Sequence, residues 1–138
     1  MSEVDRGQTD GMHAAMPFTK TLDVQAIVVG PAEVRARLVC SEGVCTSGGM
    51  MHGGAIMTLA DSTAALCAFL NLPEGASGTS TIESKTNFLH AVRSGYVESI
   101  SSPLHTGRSV VVIETDVVDA DGKLCARVTQ SQAVLRAS

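Results

Sequence analysis

Across residues 50–72 the chain is apolar on nearly every side of a helical wheel, and a single charged residue, Asp61, interrupts it. Ile56, Leu59, Leu66 and Leu70 recur at helical spacing, while Met57, Ala60, Ala64, Ala65 and Cys67 fill the other faces. A helix without a polar face has to be covered on most sides. Pro73, Glu74 and Gly75 end the segment. The rest of the chain must therefore supply a surface that wraps one long helix.

The flanking segments read as strands. Residues 22–29 are β-rich, Gly30 and Pro31 signal a turn, and residues 33–39 alternate polar and apolar, which predicts a hairpin. After the helix, residues 79–89, 96–101, 109–118 and 124–135 have strand character, with an Asp-Gly turn signal at Asp121 and Gly122. Residues 11–20 suit a short helix or turn. Residues 1–10 are expected to be a flexible tail, and residues 11–138 one domain. Two strands, one helix and four strands predict an α+β architecture in which an antiparallel sheet curls on the helix.

Composition narrows the function classes. Net charge is -4, the ten Lys and Arg are scattered, and the aromatic residues are Phe18, Phe69, Phe88 and Tyr96 alone. A nucleic-acid partner would call for a basic stripe or stacking aromatics. Residues 1–10 lack the apolar stretch of a secretory signal, and the longest unbroken apolar run covers residues 64–70, far short of the ~20 residues of a membrane span. A cytoplasmic protein without membrane or nucleic-acid partners is the expectation. Cysteines 40, 45, 67 and 125 form no metal-binding spacing. They are expected to be reduced and mostly buried thiols.

Two features carry chemistry. Gly48, Gly49, Met50, Met51, His52, Gly53 and Gly54 lead into the helix. A helix N-terminus presents unpaired N–H groups and a partial positive charge. Gly53 lets a ligand oxygen come close to its N–H, as an oxyanion hole requires. A plain glycine-rich turn is the alternative. Asp61 is the second feature. Burial would favour its protonated form and make it a stronger base, and Ser62 and Thr63 could hydrogen-bond it. A structural ion pair or cap is the alternative. Gly53 and Asp61 are eight residues apart, so about 12 Å separates them along one helix. Both cannot reach one carbonyl group, but antiparallel helices of two chains could supply one each, which predicts at least a homodimer.

His52, Gly53 and Gly54, with Asp61 in an Ala-rich helix, resemble the hotdog-fold acyl-CoA thioesterases related to phenylacetate-degradation proteins. The resemblance runs through Asn87, Phe88 and Leu89, through Gly107 and Arg108, and through the turn at Asp121 and Gly122. It covers about residues 18–135. It implies a sheet wrapped around one helix, dimers and often tetramers, and hydrolysis of acyl-CoA to free acid and CoA with no metal or cofactor. By resemblance, His52 positions the thioester, Gly53 N–H polarises its carbonyl, and Asp61 of the partner attacks or activates water. Thr81 holds that water. Thr46 stands where many relatives carry an amide side chain. Gly54 and Ser62 line the substrate site, and His90, His105, Thr106, Gly107 and Arg108 are candidates for the CoA phosphates, Arg108 through its guanidinium. Met57, Leu66 and Phe69 suit either an aryl or medium-chain acyl pocket or the core.

Two other readings fit the same fold. A CoA-ester-binding protein without activity is favoured by Thr46 in place of an amide. A hotdog dehydratase or hydratase would want a histidine beside a carboxylate in mid-helix, whereas His52 stands at the helix start.

Overall fold

The computed structural model describes residues 2–137. Its centre is α3, Gly53–Leu70, lying against a six-stranded antiparallel sheet. The strands are β1 (Gln25–Val29), β2 (Val34–Val39), β3 (Gly78–Phe88), β4 (Tyr96–Thr106), β5 (Val110–Asp119) and β6 (Leu124–Leu135), in the order β1-β2-β4-β5-β6-β3. This is the α+β architecture that the sequence pattern predicts and the hotdog arrangement that the resemblance implies.

Alternation along the strands turns one sheet face toward the helix. Val34, Ala36 and Leu38 of β2, Val111, Ile113 and Val117 of β5, and Ala126 and Val128 of β6 are buried, together with Leu59 and Ala60 of α3. A hydroxyl relay crosses this core. Ser101 donates to Thr63 at 2.8 Å and pairs with Thr115 at 2.7 Å, while Thr63 bonds the Leu59 carbonyl at 3.2 Å. The hydroxyls of Thr63, Ser101 and Thr115 are thus satisfied, which removes most of the cost of burying them.

α3 is long and apolar enough to cross a bilayer by length and composition, yet half of it is buried against the sheet. The remaining side is open, with Met57, Asp61 and Phe69 exposed. β3 closes one edge of the sheet and shows Ile82 and Phe88 to solvent.

Two expectations need correction. Of the tail expected over residues 1–10, residue 1 lies outside the described residues, and residues 6–10 instead form the first half of a helix. Asp5 accepts from Gln8 N–H and caps α1, Arg6–Ala15, so the helix begins there. The Asp5 N–H donates to the Ala26 carbonyl, Ala26 N–H donates to Thr9, and Arg37 reaches the Ser2 carbonyl. His13 donates to the Val24 carbonyl at 2.7 Å, and Met12 enters the core. Pro17 then starts α2, Pro17–Thr21, because proline fits the first helical position. The strand expected to stop at Ser101 continues to Thr106. A register shift between Pro103 and His105 absorbs the proline, which has no N–H for the ladder.

Asp5→Ala should lower the unfolding free energy by about 1 kcal/mol through loss of the cap. Leu59→Ala, at a fully buried core position, should cost about 2–5 kcal/mol. Urea denaturation measures both, and a loose N-terminal tail would leave the first substitution without effect.

Candidate functional site

The segment before α3 is held on both sides. Gly48 and Gly49 have φ of 79° and 72°, a left-handed conformation that glycine adopts without a Cβ penalty. Thr46 N–H donates to the Met50 carbonyl, Cys45 bridges Met51, and His52 N–H donates to the Val44 carbonyl at 2.8 Å. His52 is the N-cap residue, and its Nδ1 accepts from Gly54 N–H at 2.8 Å. That bond places the neutral ring's proton on Nε2. Ala55 and Ile56 donate to the His52 carbonyl. Among the described residues, Gly53 N–H has no acceptor, so it is the free donor at the positive end of the helix.

Gly53 opens on a cleft of about 400 Å³ lined by Thr46, Met50, Ile56, Phe88, Leu89 and His90. A Cβ on Gly53 would lie 3.1 Å from the Phe88 ring, so glycine is what lets the ring and the helix start share this space. His52 and Gly54 face another cleft, with Phe18 and Leu22.

Asp61 stands two turns further along α3 and corrects one expectation: in one chain its side chain is exposed, not buried. It is held nonetheless. Thr81 donates to Oδ1 at 3.1 Å, and Gln130 Nε2 donates to the same oxygen at 2.8 Å. Gln132 Nε2 donates to Thr81 at 2.7 Å, and Thr79 donates to Gln132 Oε1 at 3.0 Å. Both donors to the carboxylate take Oδ1, so among the described residues Oδ2 has no partner, and Asp61 lines a groove of about 300 Å³ with Met57, Thr58, Thr81 and Ser84. Gln130 Oε1 is buried without a partner. Flipping the amide would turn that oxygen on the carboxylate, so the orphaned atom is the cost of aiming the NH₂ at Asp61.

Sheet geometry delivers these groups. The register between β3 and β6 shifts between Thr81 and Glu83, leaving Ile82 as an extra residue. The bulge changes the phase of β3, so Thr79 and Thr81 before it and Ser84, Thr86 and Phe88 after it belong to the same face. Gln130 and Gln132, both fully buried, follow Ala126 and Val128 on the inward face of β6. Sequence reasoning missed them. The signal was available: two polar residues two apart, in phase with an apolar strand face.

The other candidates fall into three groups. Ser62 and Thr63 do not bond Asp61. The Ser62 hydroxyl donates to the Thr58 carbonyl at 2.7 Å, and Thr63 serves the core relay, so both are spent within the fold. His90 lines the Gly53 cleft. His105, Thr106, Gly107 and Arg108 line neither that cleft nor the Asp61 groove, and belong to the β4–β5 end beside the C-terminal half of α3. A Cβ on Gly107 would meet His105 Nε2 at 2.7 Å and the Val110 carbonyl at 2.8 Å, which accounts for glycine there. Arg108 is exposed, and Arg136 donates to its carbonyl at 3.0 Å, adding a second guanidinium that sequence reasoning overlooked. Among the described residues no three His, Cys, Asp or Glu side chains gather as a metal site would need.

Comparisons with known proteins agree with this geometry. The family model described as the thioesterase superfamily matches residues 48–126, more than half of the chain. A chain from Saccharolobus solfataricus described as an esterase is 34% identical over 85% of this chain and 82% of its own. The 1,4-dihydroxy-2-naphthoyl-CoA hydrolase of Escherichia coli K12 is 27% identical over 83% of each. The crystal structure of a thioesterase from Haemophilus influenzae has the same fold, with a TM-score of 0.86 at 22% identity over 98% of this chain and 94% of that one. The helix start, the carboxylate and the matched family agree: the chain belongs to the thioesterase superfamily and is a thioester hydrolase of the hotdog fold.

Proposed function

We propose that this chain hydrolyses an acyl-CoA, with an aryl or medium-chain acyl group, in a site completed by a second copy of itself. The observation that carries the reading is the separation of the two halves of the chemistry. Gly53 and Asp61 share one straight helix, about 12 Å apart, and open on different hollows. A carbonyl group needs a donor and a base each within about 3 Å. Antiparallel α3 helices bring Gly53 of one copy to Asp61 of the other. The uncovered stripe of α3 and the exposed edge of β3 are the apolar surfaces such a pairing would bury. A dimer, and a tetramer built from dimers, fit this demand.

In the proposed reaction the thioester oxygen accepts from Gly53 N–H, where the helix dipole also stabilises developing negative charge. Asp61 Oδ2 takes a proton from water, whose oxygen adds to the carbonyl carbon. Thr81 keeps Oδ1 occupied so that Oδ2 faces the water. The C–S bond then breaks, and the CoA sulfur leaves with the proton returned by Asp61. His52, fixed as the N-cap, holds the helix start in place from the adjoining cleft beside Phe18 and Leu22. Thr46 shapes the cleft wall. No cofactor is needed.

The apolar lining of the Gly53 cleft and the naphthoyl-CoA activity named for the Escherichia coli relative support an aromatic acyl group. With the helices antiparallel, the β4–β5 turn of one copy lies toward the Gly53 end of the other, where Arg108, His105 and Thr106 can meet CoA phosphates. A hydratase would need a histidine beside the mid-helix carboxylate, and the neighbours of Asp61 are instead Thr81 and Gln130.

Asp61→Asn should lower kcat for aryl-CoA hydrolysis by about 10²–10⁴-fold while CoA-ester binding persists. Thiol release measures the first and calorimetry the second; an unaffected kcat would refute the assignment. Gln130→Leu should lower kcat by about 10–100-fold with little change in KM, because it removes a hydrogen bond to a charged group and leaves the Gly53 cleft intact. Single turnover in oxygen-18 water should leave Asp61 unlabelled, whereas label in its carboxylate would mark direct attack.

A further inference from the structure

Cys40 and Cys45 form a thiol pair that the hydrolytic chemistry does not use. Their sulfurs are 3.8 Å apart. Cys40 follows β2, and Cys45 follows the 3-10 turn Glu42–Val44. Both are half-buried and line a groove of about 580 Å³ with Glu42, Thr46, Gly49 and Arg93. Cys67 and Cys125, by contrast, are buried apart from them.

We propose that Cys40 and Cys45 are a reversible dithiol–disulfide site that takes low-molecular-weight disulfides and bears on the start of α3. A thiolate on Cys45 attacks one sulfur of the incoming disulfide. The S–S bond breaks, a mixed disulfide forms on Cys45, and one small thiolate leaves and takes up the proton that Cys45 gave up. Cys40 then attacks the mixed disulfide and expels the second small thiol. Two protein thiols are oxidised by two electrons, and one small disulfide is reduced to two thiols. The order of attack follows from the surroundings. Burial, and after it the neighbouring Cys45, push the Cys40 thiol up, which suits Cys40 to the resolving step. Arg93 in the same groove is a cation available to the departing thiolate.

The loop between the cysteines is tied to the helix. Val44 accepts from His52 N–H, Cys45 bridges Met51, and Thr46 donates to Met50. Closing the sulfurs from 3.8 Å to about 2.05 Å draws Cys45 toward Cys40 at the end of β2 and pulls on its bridge to Met51. The N-cap at His52 moves with it, and Thr46 forms a wall of both this groove and the Gly53 cleft. Any consequence for turnover rests on the function proposed above. The disulfide and its pull on the helix do not.

The test exposes the purified full chain to oxidised glutathione as the probe. Intact mass should fall by two hydrogens, peptide mapping should join Cys40 to Cys45, and dithiothreitol should restore both thiols. Cys40→Ser should instead accumulate one glutathione on Cys45. Amide exchange at Gly54 and Ala55 should quicken several-fold on oxidation, with β5 unchanged. A link through Cys67 or Cys125, both thiols remaining free, or a lasting glutathione adduct on the wild type would overturn the site. Unaltered exchange at the helix start would overturn the coupling. Neither readout needs turnover, so a protein inactive on every acyl-CoA would refute the proposed function and leave this result standing.

Discussion

Everything in this molecule depends on covering one apolar helix. The sheet covers one side of α3 and supplies the core, from Leu59 and Ala60 to Val128. Among the described residues nothing covers the other side, where Met57 and Phe69 face outward with Asp61 between them. A carboxylate on the uncovered side costs little in the single chain, since water reaches it. A second copy lying there would cover the apolar stripe and enclose the carboxylate in one step. In that arrangement association and the assembly of the site are one event.

The sheet contributes precision where the helix contributes position. Asp61 is exposed, but Gln130 and Thr81 fix one of its oxygens, and Gln132 and Thr79 fix Thr81 in turn. The fully buried glutamines sit on a regular strand, which limits their freedom more than a loop would. At the other end, His52 spends Nδ1 on the Gly54 N–H and leaves the Gly53 N–H free. Each half of the proposed site thus keeps one group without a partner among the described residues, Oδ2 or N–H, that a substrate or water could use.

Much of this was legible in the sequence because periodicity is a one-dimensional record of burial. The helix, the six strands and their α+β class follow from it, while Gly53 and Asp61 stand out by a glycine-rich helix start and a lone charge in an apolar helix. What was not legible depends on contacts far apart in the chain. The partner of Asp61 at Gln130 is 69 residues away, across a pairing that the β3 bulge sets. Ser62 and Thr63, adjacent in sequence, instead bond their own helix, because serine and threonine hydroxyls in a helix readily find the carbonyl four residues back. The capped N-terminal helix escaped because Asp5 gains its meaning only from β1 and from Ser2 beneath Arg37. Burial of Asp61 was inferred from a helix taken alone, which cannot say which stripe the sheet leaves bare.

The central claim, that donor and carboxylate come from different copies, has one direct test. Gly53→Pro removes the free N–H at the first helical position, after a His52 backbone already extended at φ −63° and ψ 133°, and its ring also displaces the Phe88 ring that a Cβ there meets at 3.1 Å. Asp61→Asn removes the base. Each variant alone should be nearly inactive on an aryl-CoA, and mixing the two by subunit exchange should restore thiol release, since a mixed dimer contains one site with both groups intact. Mixed dimers that form yet stay as inactive as their parents would mean that both groups act within one chain, and the two-copy site would be wrong.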